Sequence, residues 1–137
     1  PPNLDIASHK VLQQRIAVQC GFEIPPTLIT NRVDKALAFF DRYEGDIIAK
    51  PTGPGWVYKE DGKAVTYVLT NRISSEDIQA LDSLKVAPVT FQKEIKKAFE
   101  LRVNVVGQDC LAIKIDSQKS PISQVDWRRY DVEHTPY

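Results

Sequence analysis

The chain has 137 residues, 42% of them hydrophobic and 26% charged, which suffices for one domain with a buried core and is too apolar for a disordered segment. Lys+Arg 18 balance Asp+Glu 18, so the net basic footprint of a nucleic-acid binder is missing, and the local cluster Lys93, Lys96, Lys97 and Arg102 suits a small anion instead. No apolar run approaches the ~20 residues of a membrane span and no signal-peptide pattern opens the chain, so neither nucleic acid nor a membrane is expected as a partner.

The chain opens Pro1-Pro2-Asn3 and contains no Met, which reads as a piece of a longer protein. Ser8 as N-cap, with Leu12, Ile16 and Cys20 four residues apart, predicts a helix from about His9 to Cys20, stopped by Gly21. Pro25-Pro26 forces extended chain into a short strand at Thr27-Leu28-Ile29-Thr30. Asn31 is the expected cap of a second helix with Val33, Leu37 and Phe40 inward, ended by Gly45. Asp46 to Lys50 reads as a buried strand running into the turn Pro51-Thr52-Gly53-Pro54-Gly55.

Trp56 to Tyr58 and Val65 to Leu69 flank Glu60-Asp61-Gly62-Lys63, a hairpin signal. Ser74 and Asp77 have the spacing of a capping box, opening a third helix with Ile78 and Leu81 inward. A strand follows from Val89 to Ile95, then a second hairpin from Leu101 to Val106 and Cys110 to Ser117 around Gly107-Gln108-Asp109. The tail from Lys119 reads as loop. Strands and helices so interleaved make an α+β layer structure. Cys20 and Cys110, without Cys-x-x-Cys spacing, read as two buried thiols in a reducing, cytoplasmic setting, with a disulfide as the alternative.

Three places defy local economy. Lys10 sits in the first turn of its helix, where the macrodipole disfavours a cation; it either lies over the helix in solvent or faces an anion together with the helix-terminal N–H groups. Lys50 ends an apolar strand, where a charge is costly unless partnered, and Gly53 and Gly55 after it fit either a plain turn or a phosphate cradle. In the second hairpin Leu101, Val103 and Val105 share one face with Leu111, Ile113 and Ile115 by alternation. The other face is then Glu100, Arg102, Asn104, Lys114, Asp116 and Gln118, either an ordinary solvated surface or the floor of a polar cleft.

In order along the chain stand Ser8-His9-Lys10, Gly21-Phe22-Glu23-Ile24-Pro25-Pro26-Thr27, Ile47-Ile48-Ala49-Lys50-Pro51, Tyr67-Val68-Leu69-Thr70-Asn71 and Phe91-Gln92-Lys93-Glu94-Ile95-Lys96-Lys97. Glu100-Leu101-Arg102-Val103-Asn104-Val105-Val106-Gly107, Ile115-Asp116-Ser117-Gln118 and Asp126-Trp127-Arg128 complete the series. From about Ser8 to Arg128 this resembles the ATP-grasp superfamily, specifically the RimK-like branch that includes the maturases of microviridin-type peptides. The resemblance implies an α+β fragment with a mixed or antiparallel sheet and helices packed on one face. Residues 1–95 would be the first, lysine-bearing subdomain with its preceding helix, and 96–137 the truncated start of the second.

The resemblance also implies roles. ATP lies between the two subdomains, with Lys10 and Lys50 on its phosphates. The Lys93 carbonyl and the Ile95 N–H meet the adenine edge, Gln92 adds a side-chain contact, and Glu100 takes the ribose hydroxyls. Arg102 and Arg128 face the γ-phosphate or an acyl-phosphate, which a planar guanidinium can hold by two bonds. The chemistry is carboxylate activation by ATP, followed by attack of an amine or alcohol, on a peptide or amino-acid substrate. Magnesium is expected on the phosphates, held by a Glu-x-Asn strand beyond the equivalent of Arg128, so no metal ligand is assigned within this chain. The isolated chain is expected to bind ATP weakly without turnover, and apolar surface left bare leads to the expectation of a homodimer. The alternative is a catalytically inactive nucleotide- or peptide-binding domain using the Arg102, Lys114 and Asp116 face.

Overall fold

The computed structural model describes residues 6–53, 55–58 and 65–129, in two compact units, Pro1–Glu94 and Ile95–Tyr137. In the first unit the elements are α1 (Lys10–Gln19), β1 (Thr27–Thr30), α2 (Val33–Arg42), β2 (Ile47–Pro51), β3 (Trp56–Tyr58), β4 (Val65–Tyr67), β5 (Asn71–Arg72), α3 (Ser75–Gln79), a 3-10 turn Leu81–Val86 and β6 (Val89–Lys93). Four of the strands form one antiparallel sheet in the order β1-β6-β2-β5. The α+β class expected from the sequence holds.

Residues directly opposite one another in an antiparallel pair share a face. Leu28, Phe91 and Ala49 therefore form one row, and this is the core face: Phe91 is 2% exposed and packs in one cluster with Ile47, Ala36 of α2, and Leu81 and Leu84 of the 3-10 turn. The rows on the other face are Thr27, Gln92 and Ile48, then Ile29, Thr90 and Lys50. The same pleat that buries Phe91 thus turns a run of polar side chains away from the apolar core. β6 ends at Lys93 rather than Ile95, because its ladder stops with Ile47 opposite Lys93 and with the Glu94 N–H donated to the Asp46 carbonyl at 3.0 Å.

Two caps differ from expectation. Ser8 does not cap α1: residues 6–8 are themselves helical, and the break to extended backbone falls at His9. Asn31 does not cap α2 either. The N-cap is Arg32, whose N–H goes to Thr30 Oγ1 and whose guanidinium pairs with Asp34 in the first turn. At its other end α2 closes in the two hydrogen bonds typical of a left-handed C-terminal cap, Glu44 N–H to the Asp41 carbonyl and Gly45 N–H to the Phe40 carbonyl. The α3 capping box forms as expected, with the Asp77 N–H donated to Ser74 Oγ and the Ser74 N–H to the Asp77 carboxylate. β3 and β4 pair as a ribbon with Trp56 against Tyr67, while the expected turn Glu60-Asp61-Gly62-Lys63 lies outside the described residues.

The second unit holds β7 (Glu100–Val106) and β8 (Asp109–Ile115), followed by 3-10 turns at Ser117–Lys119 and Trp127–Arg129. The connection is two residues, Gly107-Gln108, with Gly107 at φ +63°, not the three residues read from the sequence. That single residue decides the faces. A three-residue turn would set Leu101 opposite Ile115 and segregate apolar from polar; the observed register sets Leu101 opposite Lys114 and Arg102 opposite Ile113. The apolar rows of the two strands therefore lie on opposite faces, and the uniform polar face expected for Glu100, Arg102, Asn104, Lys114 and Asp116 does not exist.

The expectation of two buried thiols is also corrected. Cys20 and Cys110 are both exposed and free, the first at the end of α1, which buries no residue, the second in the ribbon, where residues 101–114 are exposed on both faces. After β8 the chain buries polar groups that sequence reasoning missed. Ser117, Ser120, Ser123 and Asp126 are all buried and stand three residues apart. That is the period of 3-10 turns, in which residues i and i+3 stack, and it is the signal that identifies them.

Candidate functional site

On the polar face of the four-stranded sheet, Lys50 stands near the carboxyl end of β2, one strand away from β6. Its Nζ donates to Gln92 Oε1 at 2.6 Å. The other end of that amide, Nε2, donates to Thr27 Oγ1 at 2.7 Å in β1. Thr27 in turn donates its hydroxyl proton to the Pro25 carbonyl at 2.8 Å and accepts from Gln14 Nε2 of α1 at 3.3 Å. Buried polar groups need such partners, and Gln92, only 7% exposed, has one at each end of its amide. The cost of a lysine at the end of an apolar strand is thereby met in part inside the protein, by a neutral acceptor that takes one of three ammonium protons.

The turn after Lys50 carries the second lysine. Lys10, in the first turn of α1, donates from Nζ to the Gly53 carbonyl at 2.6 Å. Thr52 fastens the same turn by donating to the Pro88 carbonyl at 3.0 Å. Gly55 closes it: buried, at φ +85°, it accepts the Val68 N–H at 2.8 Å, and a Cβ there would lie 2.9 Å from the Val68 carbonyl oxygen. The two lysines singled out by sequence economy are thus brought to one segment, Lys50 at its start and Lys10 on its Gly53 carbonyl.

Beside this segment lies a cleft of about 650 Å³ whose walls include Lys50, Thr52, Gly53, Leu69, Arg72 and Asp77. A cavity of that size lies within the range of small-molecule sites. Its Asp77 carboxyl is held below the usual carboxylate range by the backbone N–H and then the hydroxyl of Ser74. Arg72 forks onto Glu94, with Nε to Oε2 at 2.7 Å and Nη2 to Oε1 at 2.8 Å, which raises the guanidinium further above its ordinary value. Lys93 turns its side chain the other way: its ammonium lies 5.5 Å from the ring centre of Tyr43, while its backbone N–H donates to the Pro26 carbonyl.

Ile95, Glu100, Arg102 and Arg128 belong to the second unit. Ile95 is exposed. Glu100, at the start of β7, accepts from Lys97 Nζ at 2.8 Å, and the same ammonium reaches the Val125 carbonyl at 3.2 Å. Arg102 is exposed in mid-strand opposite Ile113. Arg128 is gripped by Asp126 in a two-pronged pair, Nε to Oδ1 at 2.8 Å and Nη2 to Oδ2 at 2.5 Å, with the carboxylate 4% exposed. Lys114 and then Lys119 hold the Asp116 carboxyl below its usual range. Sequence reasoning missed Asp126 as the partner of Arg128 two residues on, although an Asp-x-Arg spacing is a local signal. Among the described residues, no three His, Cys, Asp or Glu side chains gather into a group able to hold a metal ion, and no helix is long and apolar enough to cross a membrane.

No family model and no curated protein matches the chain. Solved structures do. A RiPP-associated ATP-grasp ligase from Chryseobacterium gregarium, in complex with ADP and a leader and core peptide, is 35% identical with a TM-score of 0.79, over 93% of this chain and 38% of that one. The macrocyclase MdnC from Microcystis aeruginosa MRC, bound with precursor peptide MdnA, is 35% identical with a TM-score of 0.72, over 83% of this chain and 37% of that one. The ATP-grasp ligase PsnB, complexed with a phosphomimetic variant of minimal precursor, Mg and ADP, is 25% identical with a TM-score of 0.64, over 93% of this chain and 36% of that one. The chain therefore spans well under half the length of the proteins it matches.

Proposed function

Because the chain carries part of the ATP-grasp fold, near the microviridin-type maturases, we propose that it forms the nucleotide-holding part of an ATP-dependent peptide ligase. The observation that supports this reading best is the placement of Lys50, off the core face at the end of β2, held by Gln92, with Lys10 fastened to the turn that follows. A lysine at the start of that segment and a second one bound to its Gly53 carbonyl suit the phosphates of ATP, whose charge neither could balance alone. The backbone at Lys93 and Ile95 takes the adenine edge in this reading, and Glu100 takes the ribose hydroxyls.

In the proposed reaction a carboxylate oxygen of the peptide bonds to the γ-phosphorus while the bond from that phosphorus to the β–γ bridging oxygen breaks, releasing ADP. An amine or alcohol then attacks the acyl carbon, loses its proton and displaces phosphate. Arg102 and Arg128 are the groups assigned to the transferred phosphoryl or the acyl-phosphate. Asp126 already fixes the plane of the Arg128 guanidinium. Magnesium stands with ADP in one PsnB complex, and on nucleotide phosphates it would supply charge neutralisation.

Calorimetric titration of the chain with ADP tests the reading. Saturable binding is expected, weakened about tenfold in Lys50→Met, since a bond to a charged group is worth about 1.5–3 kcal/mol and each 1.4 kcal/mol is tenfold. Equal affinity in the two proteins would remove Lys50 from the phosphate site.

A further inference from the structure

The hydrogen bonds that lead to Lys50 have one consistent direction, fixed at one end by the donor-only ammonium and at the other by Thr27. A threonine hydroxyl has one proton to give and two lone pairs to receive with. The proton of Thr27 goes to the Pro25 carbonyl at 2.8 Å, which can only accept. The Thr27 oxygen must therefore accept from its remaining neighbours, and it does, from Gln92 Nε2 at 2.7 Å and Gln14 Nε2 at 3.3 Å. Hydroxyl capacity is then complete. An amide that must present its NH₂ to Thr27 presents its oxygen at the opposite end, and that oxygen receives the Lys50 ammonium at 2.6 Å.

The two ends of a glutamine amide have nearly the same shape, so packing alone does not choose between them; the hydrogen-bond network does. The alternative orientation would point Nε2 at Lys50, donor against donor, in a site where Gln92 is 7% exposed and water offers little relief. We propose that Thr27 is a positioning residue for nucleotide phosphate binding: by holding the Gln92 amide in one orientation it keeps the Lys50 ammonium fixed on the polar face of the sheet. Thr27 itself touches no phosphate in this account. The inference rests on the assignment of Lys50 to the phosphates and adds to it a residue outside the expected set, one strand beyond Gln92.

Thr27→Val keeps the β-branched shape and removes the hydroxyl, while Thr27→Ser keeps the hydroxyl. Calorimetry with ADP and with adenosine separates the phosphate contribution from the rest. Thr27→Val is expected to lose about fivefold in affinity for ADP, the worth of about one hydrogen bond, with adenosine unchanged and Thr27→Ser close to the parent. An equal loss for ADP and adenosine, or a Thr27→Ser protein as weak as Thr27→Val, would overturn the proposal, because a merely structural role moves both ligands together. A second readout needs no nucleotide: the Lys50 ammonium resonance in ¹⁵N-edited NMR, expected sharp in the parent and in Thr27→Ser and broadened in Thr27→Val. Its persistence in Thr27→Val would overturn the relay. A parent that shows the relay by NMR but binds no ADP would overturn the nucleotide reading and, with it, the role given to Thr27.

Discussion

Gly55→Ala puts a methyl group where the chain has no room for one. Gly55 sits at φ +85°, and a non-glycine residue in that region costs about 1–2 kcal/mol from its own Cβ against the following carbonyl. The added Cβ would also stand 2.9 Å from the Val68 carbonyl oxygen and 3.1 Å from Pro51 Cγ, a backbone atom and a ring that cannot swing aside. Relief requires the strand ribbon to move off the turn, which stretches the bond from the Val68 N–H to the Gly55 carbonyl, now 2.8 Å, worth about 1 kcal/mol. The sum is about 2–3 kcal/mol.

Two other glycines calibrate this. Gly107→Ala meets the same backbone penalty at φ +63° with nothing within 4 Å, so about 1–2 kcal/mol is expected. Gly53→Ala has neither positive φ nor a neighbour within 4 Å, so its change is expected within about 0.5 kcal/mol of zero. Urea unfolding followed by fluorescence measures all three, with Trp56 reporting on the first unit and Trp127 on the second. A Gly53→Ala protein as unstable as Gly55→Ala, or a neutral Gly55→Ala, would refute the steric account of this turn.

Ser74→Ala should cost about 1 kcal/mol in the same unfolding measurement, since it removes the acceptor for the Asp77 N–H. The same cap gives a pH dependence. Asp77 is lowered in the folded state by bonds from Ser74, so its contribution is complete above the unfolded carboxylate value and is lost as pH falls through the folded one. Melting temperature should therefore decline on acidification below the ordinary carboxylate range, and Ser74→Ala should decline less. Ser123→Val should destabilise by about 1–3 kcal/mol, because the Ser117 carbonyl that Ser123 Oγ now reaches at 2.8 Å would be left buried with its donor gone. Denaturant midpoints read by Trp127 check it.

What was legible in the sequence is what neighbouring residues decide. Ser74 and Asp77 form their cap within three residues, and it formed as read. Lys50 was marked as out of place by its own strand, but its partner Gln92 lies 42 residues away, and no local pattern points to it. The β7–β8 ribbon shows the limit most clearly. Alternation assigns each strand its own two faces, yet which faces coincide depends on whether the turn takes two residues or three, and Asp109 pairs with Val106 instead of turning. The buried Ser117, Ser120, Ser123 and Asp126 were legible in principle, by their period of three, but Ser117 read as the end of a strand and the rest as polar loop. The Ser8 and Asn31 caps failed for one reason: suitable cap residues stood nearby, but the helical turn at residues 6–8 and the Thr30 bond to the Arg32 N–H had already fixed where each helix begins.

The central claim is that nucleotide phosphate sits against Lys50. Backbone amide NMR of the chain titrated with ADP tests it most directly. The account predicts saturable shifts at Lys50, Gly53 and Gln92 that are absent when adenosine replaces ADP at Lys50 and Gly53. Shifts confined to residues remote from that segment, or no shift at millimolar ADP, would contradict it.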